Sequence, residues 1–202
     1  LDPSSTPGYT GDKRTGAADL VTGHDPLDGL QERLFAASTA GANDAVLLVL
    51  QAMDTAGKGG IVRHVVGSVD PQGVHLAAFK KPTPDELAHD FLWRIHRAVP
   101  ARGEVGVFNR SHYEDVLVVR VDKLVPKEVW RARYEQINAF ERGLDANGIR
   151  VVKFLLHISK DEQRRRFEAE MAEKQRVHGE RYPLDEDFLA ALSHMPPASG
   201  IA

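Results

Sequence analysis

The segment AMDTAGKGG contains the first residues of this chain whose types and spacing suggest chemistry. Gly57 and Gly59 permit backbone conformations in which several N–H groups point toward one anion, and Lys58 adds a positive charge. The residue after this lysine is not the hydroxyl residue that usually ligates Mg²⁺ in a phosphate-binding loop. Asp54 could take that role, directly or through a metal-bound water. The alternative is a glycine-rich turn with a surface lysine.

Two further groups of polar residues follow segments that are predicted to be strands. The segment VFNRSHYEDV contains Asn109, Arg110 and Glu114. Arg110 offers a planar fork that matches phosphate oxygens, and the other two are candidates for contacts with metal, water or a nucleotide. The segment FKKPT places Lys80 and Lys81 directly after another strand. Each residue alone is more often a solvated surface group, so the prediction depends on all of them meeting.

Alternation of apolar strands with helices predicts an α/β fold with a parallel sheet. The continuous apolar run AVLLVLQAM is typical of a strand that is buried on both faces. We predict strands at residues 45–53, 74–79, 104–109 and 150–159, helices at 26–40, 83–99 and 127–144, and a helix beginning within 58–69. Thr83, Pro84 and Glu86 predict a capping box at one helix start.

The predicted elements place the three groups of polar residues at one edge of the sheet. Each group follows a strand, and the carboxyl ends of parallel strands meet at the edge where α/β folds bind ligands. A helix that starts just beyond the glycine-rich segment would add its positive dipole end. The sequence therefore predicts an anion-binding site at this edge.

Composition limits the classes of protein that fit this chain. With 42% hydrophobic and 27% charged residues among 202, it is typical of one globular domain. The absence of Cys excludes a disulfide framework and thiolate metal sites, and it is compatible with a reducing cytoplasm. The formal charge of −3 argues against general nucleic-acid binding, and the sequence has no apolar run of membrane-spanning length. The start at Leu1 suggests a trimmed or partial chain.

Three long motifs resemble the family-2 polyphosphate kinases over about residues 1–165, in the order AMDTAGKGG, FKKPTPDELAHDFLWRIH and VGVFNRSHYEDVLVVRV. The resemblance implies a P-loop kinase-like, three-layer αβα fold. It also implies transfer of phosphoryl groups between inorganic polyphosphate and AMP or ADP, with Mg²⁺ as cofactor. Ala52 stands where many members have Gly. The pairing of Asn109 with Glu114 resembles the class III members, which phosphorylate both AMP and ADP.

The resemblance also implies a role for each residue of the motifs. The catalytic residues would be Asp54, Lys58 and Arg110, with Asp54 holding Mg²⁺, directly or through water. The rest of the phosphate loop would be Thr55, Ala56, Gly57, Gly59 and Gly60. Asn109 and Glu114 would lie on the nucleotide side, and a polyphosphate channel would contain Lys80, Lys81 and Arg94. The expected partners are polyphosphate and adenine nucleotides, without nucleic acid or membrane, in a cytoplasmic homo-oligomer.

The predicted organisation has three parts. Residues 1–25 are expected to form an extended arm, 26–167 the phosphotransferase domain, and 168–202 an atypical tail where the lid is truncated or replaced. The tail resembles a fragment of the lysyl-tRNA-synthetase-like class II enzymes. Two alternatives stay open: an ATP-dependent nucleotide kinase on the same fold, or, because the lid is missing, an inactive phosphate- or nucleotide-binding chimera.

Overall fold

The computed structural model of the protein describes residues 2–6 and 8–179. Its helices and strands follow in the order α1 (Lys13–Thr39), β1 (Ala45–Ala52), α2 (Lys58–His64), β2 (Val74–Ala78), α3 (Pro84–Leu87), α4 (Trp93–His96), β3 (Val105–Asn109), α5 (Glu114–Val121), α6 (Lys127–Ala146), β4 (Ile149–Leu156) and α7 (Lys160–His178). The chain divides into two compact units. The larger contains residues 12–51 and 58–155, and the smaller contains the remaining described residues.

The four strands form one sheet in the order β2–β3–β1–β4. Strand β3 pairs in parallel with β1 and with β2, so that Leu50 and Ala78 are both in register with Asn109. The pairing continues one residue further, because the Phe79 N–H donates to Asn109 and the Arg110 N–H donates to Leu50, each at 3.1 Å. The predicted parallel α/β sheet is confirmed. Strands β2 and β3 end at the same level, and β1 ends two residues beyond it, at Ala52.

The order of the strands places a change of direction between β1 and β3. From β1 the chain moves toward one edge of the sheet, where β2 lies. From β3 it moves toward the opposite edge, where β4 lies. In open α/β sheets the crevice at such a reversal is where ligands bind. A ligand site is therefore expected at the segments that follow β1 and β3.

The core of the larger unit explains why the strands read as continuous apolar runs. Leu47 of β1 and Phe108 of β3 are completely buried, as are Ile95 of α4 and Val116 of α5. The Phe108 ring meets Phe79 edge to face, with 4.9 Å between the ring centroids. Helices cover the central strands, so alternation of polar and apolar residues is absent from those strands.

Helix α1 begins earlier than the sequence analysis predicted. Residues 13–25 are helical, so the prediction of an extended arm over 1–25 is wrong for them, and the helix does not start at residue 26. Asp12 caps the helix, since its carboxylate accepts from the Thr15 N–H at 2.8 Å. Pro26 lies inside the helix. The cap and the helix-forming residues that follow it outweigh the Pro and Gly content.

The helix predicted at residues 83–99 is divided into α3 and α4. Its capping box is confirmed: Glu86 N–H donates to Thr83 Oγ1 at 3.2 Å, and Thr83 N–H donates to Glu86 Oε2 at 2.7 Å. Between the two helices, Asp90 Oδ1 accepts from the Leu92 N–H at 2.9 Å. Such a local side-chain bond competes with helical hydrogen bonding, which accounts for the break.

Helix α7 crosses the predicted start of the C-terminal tail. Ser159 caps it by accepting from the Glu162 N–H at 3.1 Å, and it ends before Gly179, whose φ is 68°. Residues 180–202, most of the predicted tail, lie outside the described residues, so the tail stays a prediction. Within residues 2–6 and 8–179, none of the helices is long and apolar enough to cross a membrane.

Gly106 on β3 gives a test of how tightly the central strand is packed. A Cβ at this residue would lie 2.8 Å from the Pro100 ring. We expect Gly106→Ala to lower the free energy of unfolding by about 1–3 kcal/mol, because the ring must shift. Gly143→Ala is the control, since a Cβ there would meet open space on α6. It should raise stability by about 0.5–1 kcal/mol. Equal changes in urea denaturation would contradict the packing described.

Candidate functional site

The segment after β3 carries three of the residues that the sequence analysis selected. Asn109 is the last residue of β3, Arg110 follows it, and Glu114 begins α5. Arg110 has a φ of 63°. A residue with a side chain rarely adopts this left-handed conformation, which costs on the order of 1–3 kcal/mol and persists where the surroundings impose it, often at functional sites. The structure thus turns the chain sharply at the arginine predicted to bind phosphate.

Gln51, at the carboxyl end of β1, contacts this segment. Its Nε2 donates to Glu114 Oε1 at 2.6 Å, and its Oε1 accepts from Ser111 Oγ at 3.2 Å. Ser111 is completely buried, and its Oγ also accepts from the Tyr113 N–H at 3.2 Å. The sequence analysis did not select Gln51 as a site residue. Its two partners are about 60 residues away in the sequence, so no local pattern points to them.

Glu141 of α6 forms hydrogen bonds with two residues of the same segment, His112 and Tyr113. Its Oε1 accepts from Tyr113 Oη at 2.7 Å and from His112 Nε2 at 3.2 Å. Its Oε2 accepts from Lys153 Nζ of β4 at 2.8 Å, and this ammonium also donates to Tyr113 Oη at 3.1 Å. His112 is completely buried and Tyr113 nearly so. We call these four residues the Glu141 network; it holds the segment that carries Arg110 and Glu114.

The Glu141 network shifts the pKa values of three of its members. Burial alone would lower the pKa of Lys153, but its hydrogen bonds to Glu141 and Tyr113 outweigh this effect and raise it. Burial alone would raise the pKa of Glu141, but hydrogen bonds from His112, Lys153 and Tyr113 outweigh it and lower the pKa to about 2. Burial and the hydrogen bond to Glu141 raise the pKa of Tyr113 to about 12. At neutral pH the carboxylate is therefore charged and the phenol is neutral. The network acts as a fixed support, since neither group titrates near pH 7.

Lys80 and Lys81 follow β2 with exposed side chains, whereas Arg94 is buried. The Arg94 guanidinium donates to the Lys80 carbonyl at 2.9 Å and lies 3.7 Å from the Asp115 carboxylate. Asp115 also accepts from Arg133 at 3.1 Å. Arg94 thus ties the backbone after β2 to the start of α5. This placement argues against direct contact between Arg94 and a polyphosphate chain, whereas the two lysines keep that predicted role.

The first half of the predicted phosphate loop lies in the smaller unit, where α7 contacts its backbone. Gln163 Nε2 donates to the Asp54 carbonyl at 3.1 Å, and Arg166 NH1 donates to the Ala56 carbonyl at 3.2 Å. Thr55 and Gly57 have φ values of 62° and 111°. Hydrogen bonds from α7 to two loop carbonyls hold this part of the loop, whose backbone is left-handed at Thr55 and Gly57. Gln163 was missed by the sequence analysis.

The second half of the loop belongs to the larger unit. Lys58, Gly59 and Gly60 are the first three residues of α2. The predicted helix start within residues 58–69 is confirmed. The structure thus gives the strand–loop–helix order that the sequence predicted, with Asp54 exposed in the loop and Lys58 at its end.

The described residues contain no ready-made metal cage. Among residues 2–6 and 8–179, no group of three or more acidic or histidine side chains is arranged to hold a metal ion. Mg²⁺ commonly uses one or two carboxylates together with water and substrate phosphates. Asp54 is an exposed carboxylate within the loop, which fits this mode of binding.

Comparison with known proteins decides which family has this arrangement. The family model described as Polyphosphate kinase 2 (PPK2) matches residues 11–180. This chain belongs to the polyphosphate kinase 2 family. An AMP/ADP-polyphosphate phosphotransferase from Meiothermus ruber is 50% identical over 83% of this chain and 61% of its own length. An ADP-polyphosphate phosphotransferase from Rhodopseudomonas palustris is 48% identical over 78% of this chain and 57% of its own length.

A solved structure supports the same assignment. The crystal structure of polyphosphate kinase 2 from Arthrobacter aurescens TC1 matches with a TM-score of 0.87 and 50% identity, covering 96% of this chain and 67% of that chain. The predicted P-loop kinase-like α/β class and the family resemblance are confirmed. The chain spans about three fifths of the length of the curated relatives, at 61% and 57%. The resemblance of residues 168–202 to lysyl-tRNA-synthetase-like enzymes stays a prediction.

In this member of the polyphosphate kinase 2 family, the Glu141 network predicts a pH-dependent contribution to stability. Glu141→Ala removes the acceptor of three hydrogen bonds, so we expect it to lower the free energy of unfolding by about 3 kcal/mol at pH 7. The folded-state pKa of Glu141 lies below its usual 4.5. Its contribution is therefore complete above about pH 5 and is lost as the pH falls toward 2.

Glu135→Ala is the matched control, because Glu135 lies on the same helix and pairs with Arg142 in solvent. An exposed ion pair contributes about 0–1 kcal/mol, so this variant should resemble the parent protein. Urea denaturation at several pH values between 7 and 2.5 measures both. A Glu141→Ala effect that equals the control, or that does not shrink on acidification, would contradict the network.

Proposed function

We propose that this protein transfers phosphoryl groups between inorganic polyphosphate and the adenine nucleotides AMP and ADP. The observation that carries the proposal is the position of Asn109, Arg110 and Glu114 after β3, beside the end of β1 at the reversal of strand order. Membership of the polyphosphate kinase 2 family supports it. The Meiothermus ruber relative, named for both AMP and ADP, supports this choice of acceptors.

The proposed chemistry needs neither a nucleophilic side chain nor a strong general base. The attacking group is a phosphate oxygen of the nucleotide, which is already anionic, so catalysis consists of alignment and neutralisation of charge. Lys58 would neutralise charge on the transferring phosphoryl group, and Arg110 would hold its oxygens through its planar fork. The Glu141 network stabilises the segment that carries Arg110. Its Glu141 and Tyr113, whose pKa values are strongly shifted, are not needed as an acid or a base.

The proposed cofactor is Mg²⁺. Asp54 would hold it, together with substrate phosphates. When bound, the ion supplies positive charge against the phosphate oxygens. The exposed Lys80 and Lys81 would contact the polyanionic substrate after β2. Because such a chain carries a charge on every phosphate unit, its binding should weaken as salt concentration rises.

The variant Lys58→Ala tests the assignment of the loop. Loss of one preorganised charge contact in a phosphoryl-transfer site should lower turnover by about 10²-fold. The measurement is the formation of ADP from AMP, and of ATP from ADP, with Mg²⁺ and polyphosphate. A parallel reaction offers ATP instead of polyphosphate as the donor to AMP.

Lys127→Ala serves as the control, because Lys127 is an exposed lysine at the start of α6 and belongs to none of the predicted site segments. Its turnover should equal that of the parent protein. Near-normal turnover in a folded Lys58→Ala variant would remove the phosphate-loop assignment. Activity with ATP alone as donor would show an ATP-dependent nucleotide kinase, and binding of nucleotide without any transfer would show a binding protein.

A further inference from the structure

The pairing of Gln51 with Glu114 has a fixed polarity. Gln51 Nε2 lies 2.6 Å from Glu114 Oε1, and the opposite end of the amide accepts from the Ser111 hydroxyl. A rotated amide would place its oxygen at that distance from a carboxylate oxygen, which is repulsive. Ser111 cannot move away, because it is completely buried and accepts from the Tyr113 N–H. The amide therefore donates to the carboxylate in one orientation.

This polarity determines how the Glu114 carboxylate is presented. A hydrogen bond to an ionised acceptor is about twice as strong as one between neutral groups, so the amide holds the carboxylate firmly. The amide binds Oε1. The other oxygen, Oε2, is then the one that a donor group of a nucleotide would meet. Both residues lie at the ends of elements that flank the reversal of strand order, Gln51 on β1 and Glu114 on α5.

We propose that Gln51 is a positioning residue that sets the preference between AMP and ADP through Glu114. The inference rests on the proposed function for the identity of the two nucleotides, and on the predicted position of Glu114 on the nucleotide side. AMP and ADP differ by one anionic phosphate. A negative carboxylate that is held near the nucleotide therefore changes the affinities for AMP and ADP by different amounts. The size of this difference depends on the position and charge of the carboxylate. Releasing or moving this carboxylate should change the selectivity more than it changes the fold.

The pair can be tested by breaking it and by reversing it. Gln51→Met keeps the volume of the side chain and removes both hydrogen bonds. Gln51→Glu sets two carboxylates against each other, which is unfavourable when both are charged. The double variant Gln51→Glu with Glu114→Gln reverses the pair: an amide again donates to a carboxylate, but the negative charge moves from α5 to β1.

The measurement is the affinity for AMP and for ADP, each titrated alone with Mg²⁺ by calorimetry. Because no donor is present, the result does not depend on whether polyphosphate is the phosphoryl source, which the turnover assays test separately. We expect Gln51→Met and Gln51→Glu to change the ratio of the two Kd values by about fivefold or more, as for a displaced charge-assisted hydrogen bond. The double variant should recover the Tm lost in Gln51→Glu, with a ratio still different from that of the parent protein.

The control is Gln136→Met, the same substitution at an exposed position on α6. It should leave both Kd values unchanged. If Gln51→Met does not fold, the double variant still tests the inference, since its pair is intact. Kd values that change equally for AMP and ADP in the folded Gln51 variants, or a ratio that stays at the parent value, would overturn the inference.

Discussion

The parallel pairing of β3 with both of its neighbours is the constraint on which the candidate site depends. Because Leu50 and Ala78 share one register partner in Asn109, β2 and β3 end at the same level of the sheet and β1 ends two residues beyond it, at Ala52. Hydrogen bonds of the backbone extend this pairing as far as Arg110. A shift of one residue in β3 would move the arginine and reverse the facing of every side chain on the strand.

Polar side chains from β1 and α6 support the segment that follows β3. The segment after β3 turns through a left-handed arginine, and such a conformation needs support from its surroundings. Glu141 supplies this support from one side through His112 and Tyr113. Gln51 contacts the same segment from β1. These hydrogen bonds support the segment that carries the residues that would meet phosphate.

The sequence predicted the strands and the order of the elements because these depend on local patterns. Continuous apolar runs mark buried strands, and the box at Thr83 and Glu86 depends on neighbouring residues only. Contacts between residues that are distant in the sequence could not be predicted from local patterns. Arg94 was expected in the polyphosphate channel with Lys80 and Lys81, and its contacts with the Lys80 carbonyl and Asp115 join residues more than ten positions apart. The pairing of Gln51 with Glu114 spans 63 residues, and no periodicity predicts it.

The central claim is that polyphosphate is the phosphoryl donor to a nucleotide held beside the end of β3. The most direct measurement uses polyphosphate labelled with radioactive phosphorus, unlabelled ADP and Mg²⁺, followed by separation of the nucleotides. The account predicts that label appears in the terminal phosphate of ATP and that its rate of appearance falls at high salt concentration. Unlabelled ATP, together with transfer of label from terminally labelled ATP to AMP by the same preparation, would contradict it.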